Sequence, residues 1–100
     1  MTDEFDSKDP SEKIPLTFDF SSLTSEDLAN PTITITWHSG PKTTSDLSTM
    51  LLGAAQISGQ SVLQKVQLGL VGTVYKVRCQ VDTVTGLRYV LAGLLPVETA

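Results

Sequence analysis

One hundred residues allow one domain built on one core, and a composition 40% hydrophobic and 18% charged is that of a packed globular chain, not a disordered or fibrous one. A net charge of -4 argues against a nucleic-acid partner, because counterion release from phosphates needs a clustered basic surface. The single cysteine, Cys79, excludes an internal disulfide and a cysteine-built metal site, and no run approaches the roughly 18 apolar residues of a membrane-spanning helix.

Residues 1–13 carry Asp3, Glu4, Asp6, Asp9 and Glu12 against Lys8 and Lys13, with Phe5 as the one aromatic side chain. This segment reads as an extended arm outside the core, mobile until it meets a partner, with Phe5 as a candidate anchor. It lacks the basic-then-apolar pattern of a secretory signal, so cytoplasmic synthesis is expected.

From Ile14 the pattern alternates strictly. Ile14, Leu16, Phe18 and Phe20 take one face, and Pro15, Thr17 and Asp19 the other, which predicts a half-buried strand. Pro15 has no amide to donate and places this strand at a sheet edge. Residues 21–31 read as a connection in which Ser25-Glu26-Asp27-Leu28 forms one helical turn and Pro31 closes it. A second strand runs from Thr32 to His38, with Ile33, Ile35 and Trp37 inward and threonines outward.

Ser39-Gly40-Pro41 breaks that strand, and Lys42 to Ser48 is polar and turn-like. Met50 to Ile57 is apolar without a clear period, either a strand or a short helix, with the strand preferred. Ser61 to Leu70 places Val62, Val66, Leu68 and Leu70 on one face with Gln64 as the polar exception, and Gly69 and Gly72 flank a corner. Thr73 to Asp82 sets Tyr75, Val77, Cys79 and Val81 inward against Val74, Lys76, Arg78 and Gln80. Thr83-Val84-Thr85-Gly86 then makes a tight connection to a last strand, Leu87 to Leu95, ended by Pro96.

Six or seven short strands without crossover helices predict an all-β fold, an antiparallel sandwich. The run Gly72 to Cys79 makes it immunoglobulin-like: a Tyr near the start of the penultimate strand braces a corner through its hydroxyl, with Trp37 in the same core. The expected organisation is an extended N-terminal arm over 1–13, an immunoglobulin-like β-sandwich over 14–97 and a C-terminal tail over 98–100.

Catalytic chemistry has no foothold in this pattern. His38, the one histidine, alternates away from the core, and Cys79 alternates into it, where a thiol acts as a small apolar group. The carboxylates of the arm lack the glycine and spacing of a calcium loop. No catalytic residue, metal or cofactor is expected.

The acidic arm with Phe5 and Lys8-Asp9-Pro10, the strand ending Asp19-Phe20-Ser21, the Thr-rich strand ending in Trp37, and Gly72-Thr73-Val74-Tyr75-Lys76-Val77 occur in an order that resembles a family of small bacteriophage virion proteins, the fibre–tail adaptors. In that family the arm precedes an immunoglobulin-like domain, and a Gly-Arg turn enters the last strand. Here the turn is Thr85-Gly86-Leu87-Arg88, with one residue inserted, while residues 42–60 and the apolar end Ala92 to Pro96 depart from the pattern.

The resemblance implies a structural virion protein made in the host cytoplasm and repeated around the tail axis as a homo-oligomeric ring. It would join fibres or other appendages to the tail or portal, with phage tail, portal or fibre proteins as partners and neither nucleic acid nor membrane. Phe5, Lys8, Asp9 and Pro10 are the partner-docking candidates. The competing reading is an immunoglobulin-like adhesion or carbohydrate-binding module, which needs outward aromatics; by alternation only Tyr89 qualifies.

Overall fold

The computed structural model describes residues 2–42 and 46–100. Its strands are β1 (Thr2–Glu4), β2 (Ile14–Asp19), β3 (Leu28–Ser39), β4 (Gln56–Ser58), β5 (Ser61–Val66), β6 (Val74–Thr83) and β7 (Arg88–Pro96). A 3-10 turn at Leu47–Met50 lies between β3 and β4. The strands form two sheets, ordered β1-β7-β6-β3 and β2-β5-β4. All pairings are antiparallel except that of β1, which runs parallel to β7. The division of β2, β4 and β5 from β1, β3, β6 and β7 gives the two sheets of an all-β sandwich.

Alternation explains the core. Tyr75, Val77, Cys79 and Val81 point inward from β6 and are all buried, as are Leu16 and Phe18 on β2, Phe20 just beyond it, and Val62 and Val66 on β5. These side chains from both sheets form one cluster. At roughly 1.5–3 kcal/mol for each large apolar side chain removed from water, this cluster is the main stabilising term. Gln64 is the polar exception. Its amide donates to the carbonyls of Lys65 at 2.8 Å and Gly53 at 3.1 Å, so its burial leaves no donor unmet.

Tyr75 is the brace that its position predicts. Its hydroxyl accepts the Leu70 N–H at 2.9 Å and ties β6 to the corner before it. Pro15 likewise lies on β2, at the edge of its sheet, and the β6–β7 connection is tight, with the Gly86 N–H donating to the Thr83 carbonyl at 3.0 Å.

Several expectations are corrected. β3 begins at Leu28, four positions earlier than expected, and Pro31 sits inside it. A register shift between Ala29 and Thr32, with Asn30 at φ 51°, absorbs the missing amide. The helical turn expected at Ser25 to Leu28 is replaced by a bend in which the Thr24 hydroxyl accepts the Glu26 N–H at 3.0 Å. The strand preferred for Met50 to Ile57 survives only at Gln56–Ser58. Met50 instead ends a 3-10 turn, Leu47–Met50, that begins where Asp46 accepts the Ser48 N–H at 2.9 Å. Within the turn-like stretch 42–48, residues 43–45 lie outside the described residues.

β5 stops at Val66, because Leu68 and Gly69 turn the chain at φ 59° and 107°. Leu68 and Leu70, expected inward, are therefore exposed. Trp37, expected in the core, is 40% exposed. It pairs with buried Tyr75 and so lies on the inner face, but β3 runs 12 residues against six for β2 and β5 and three for β4, and its end overhangs the facing sheet. Its indole N–H donates to the Gly40 carbonyl at 3.0 Å instead, and Lys42 lies 5.2 Å from the ring centroid.

Candidate functional site

The docking candidates lie on the segment that enters the four-stranded sheet from its edge. After β1, the Phe5 N–H donates to the Leu94 carbonyl at 2.8 Å, and three residues later the Lys8 N–H donates to Pro96 at 2.9 Å while its carbonyl accepts from Glu98 at 2.9 Å. Glu4 aligns with Leu94 and Lys8 with Val97, so four steps on this segment match three on the other and one residue bulges. Thr2 to Lys8 thus run along β7, against the core and not outside it.

Phe5 turns inward. Its ring meets Phe18 edge-on, with centroids 5.5 Å apart and planes at 84°, which links the two sheets. The ring lies on Gly93, where a β-carbon would collide with it. No alternation signal predicts this contact; the one hint is a glycine in the middle of an apolar strand.

Lys8 is completely buried. Its ammonium donates to the Leu68 carbonyl at 2.7 Å, to the Asp9 carbonyl at 2.8 Å and, more weakly, to Pro10 at 3.4 Å. Burial pushes the Lys8 ammonium below its usual range, opposed by the charges of Glu12 and Asp9. A lysine in an acidic arm reads as a solvated charge, so sequence reasoning missed this role.

Asp9 turns the chain. Its Oδ1 accepts the Ser11 N–H at 2.8 Å and the Ser11 hydroxyl at 2.6 Å, and its Oδ2 accepts the Ala100 N–H at 2.9 Å. The Ala100 amide first, and then Ser11, hold its carboxyl down at about 2. The Asp9 N–H donates to Glu12 Oε1 at 2.7 Å while the Glu12 N–H donates back to the Asp9 backbone carbonyl at 2.9 Å, a reciprocal pair that closes a single turn around Pro10. Lys8, Asp9 and Pro10 thus converge on the C-terminal residues and the 67–72 corner, while Phe5 sits apart between the sheets.

The surface left over is apolar in places. Phe5, Phe18, Leu23, Val90 and Leu91 line a groove of about 460 Å³ between β2 and β7. Leu68, Leu70 and Val71 are exposed together on the corner that Lys8 pins. Tyr89, the aromatic expected outward, packs against the core, and His38 is exposed. Burial pushes the Cys79 thiol up to about 12, which suppresses thiolate character. Among the described residues no three His, Cys, Asp or Glu side chains gather as a metal-ligand set, and no helix is long and apolar enough to cross a membrane.

Residues 8–94 match the sequence model of a family described as Podophage GP4 fiber-tail adaptor protein gp77. No curated protein matches the chain.

Proposed function

The chain belongs to that podophage fibre–tail adaptor family, a family of structural tail proteins, and from this membership we propose that it joins fibres or other appendages to the tail or portal through protein–protein contacts. The observation that carries the reading is the extent of the match, which begins at Lys8 and runs through the sandwich into β7. Membership places the protein in the phage virion. Its neighbours are then other tail, portal or fibre proteins, met by copies arrayed around the tail axis as a homo-oligomeric ring. A net charge of -4 favours such partners over nucleic acid.

Phe5, Lys8, Asp9 and Pro10 act here as a docking segment whose course is set from inside. Phe5 and Lys8 hold it to the sandwich, while the outer edge of β1 and the Asp9-Pro10 turn are the parts offered to a neighbour. An edge strand carries unpaired backbone donors and acceptors, which suits strand-to-strand docking. Antibody labelling of purified particles under the electron microscope tests the reading. Label at the junction of fibres and tail is expected; particles whose protein inventory lacks the chain would overturn it.

A further inference from the structure

We propose that, before the chain joins the tail, β3 is a self-pairing edge through which two free copies associate about a two-fold axis, a contact separate from those between neighbours in the assembled ring. β3 is the outermost strand of the four-stranded sheet, and none of the described strands pairs with its free side. Natural edge strands are usually blunted by charge, proline or irregularity. β3 is irregular only toward its ends, where Pro31 lies within the register shift at Ala29/Thr32 and a second shift falls at Trp37/Ser39. Between them, Thr32 to Trp37 pair with β6 in unbroken register, and no residue from Leu28 to Ser39 is charged.

The sequence of that regular stretch names the occupant. Thr32-Ile33-Thr34-Ile35-Thr36 reads the same in both directions about Thr34. Antiparallel pairing with a second copy centred on Thr34 sets Thr32 against Thr36, Ile33 against Ile35 and Thr34 against itself. Every side chain then meets its own kind on its own face, and a sheet of four strands becomes one of eight. A two-fold contact sets each residue against its symmetry mate, and here the palindrome makes every such pair one of like with like, a self-complementarity that an arbitrary partner strand does not share.

Two further features fit the same register. Trp37, 40% exposed at the overhanging end of β3, lies one residue beyond the palindrome, beside the seam with the second copy. β4, the edge of the other sheet, lies beside β3 and carries Ile57, 41% exposed, paired with buried Val62 and hence on the inner face. The contact would thus bury apolar side chains from both sheets. Arg78, the nearest cation on the outer face, sits one strand inside Thr34. It and its counterpart are about three strand spacings apart, ~14 Å, beyond the Debye length at physiological salt. Like charges therefore do not oppose the pair.

Sedimentation equilibrium of the full chain tests this. A monomer–dimer equilibrium is expected for the wild type. Thr34→Lys, which sets two ammonium groups face to face on the axis, should weaken it at least about tenfold while leaving circular dichroism, and Tm read at concentrations where both proteins are monomeric, unchanged. Thr34→Cys should form a disulfide dimer under mild oxidation, because antiparallel partners lie about 4.5–5.5 Å apart, while Lys76→Cys, one strand away, should not. A wild type still monomeric at ~1 mM, or a dimer indifferent to Thr34→Lys, would overturn the proposal. Either result leaves the adaptor role standing, since particle labelling tests that separately.

Discussion

The ammonium of Lys8 donates to the carbonyl of Leu68 at 2.7 Å, joining residues 60 positions apart. Leu68 has φ 59°, a left-handed conformation that costs a non-glycine residue about 1–2 kcal/mol. The buried cation holds that corner in place, and the corner in turn presents Leu68, Leu70 and Val71 to solvent.

Replacing Lys8 by Met keeps the length and removes the donors. The carbonyls of Leu68 and Asp9 are then left without this partner, and Lys8→Met is expected to destabilise the fold by about 1–3 kcal/mol in urea unfolding. Amide exchange in 67–72 should accelerate more than in β6.

Tyr75 meets the same corner from the other side. Tyr75→Phe removes only the hydroxyl that accepts the Leu70 N–H, so a loss of about 1 kcal/mol is expected. Thermal unfolding should show it as a Tm lower by roughly 4–8 °C.

Gly93 and Phe5 are a steric pair. A methyl at 93 collides with the Phe5 ring, so Gly93→Ala should cost about 1–3 kcal/mol and loosen the N-terminal segment, read as faster exchange at the Phe5 and Lys8 amides. In a Phe5→Ala background the same methyl meets no ring. The double-mutant cycle should recover most of the Gly93→Ala cost.

Asp9 makes the terminal contact sensitive to acid. Its carboxyl titrates at about 2 in the folded chain against an ordinary 3.8, a depressed value, so its stabilising effect is complete above about pH 4 and fades as pH falls toward 2. NMR titration should show the Asp9 carboxyl and the Ala100 amide moving together in that window. Asp9→Asn should abolish the coupled titration.

Much of the sandwich was legible because period-2 alternation survives wherever a strand has one buried face. β2 and β6 match the reading almost residue for residue, and the edge position of Pro15 and the hydroxyl brace of Tyr75 followed from what those side chains can and cannot bond. The N-terminal segment is legible only in part. Nothing local shows that Lys8 and Phe5 turn inward, since a charge or a lone aromatic in an acidic stretch carries no period to reveal a distant partner. Trp37 failed for a related reason: alternation assigns its face correctly but does not say how far the opposite sheet extends.

The sequence by itself determined which side chains share a face, where turns fall at Gly72 and Gly86, and that the strands assemble into an all-β sandwich, because those properties depend on neighbours within a few residues. Only the tertiary structure decided that the first residues run parallel along the last strand, that a lysine is the buried clasp of the 67–72 corner, and that β3 is left as a sheet edge. Those outcomes depend on which segments meet across tens of residues, where a backbone carbonyl or the end of a facing sheet, invisible to local pattern, sets the energy of each side chain.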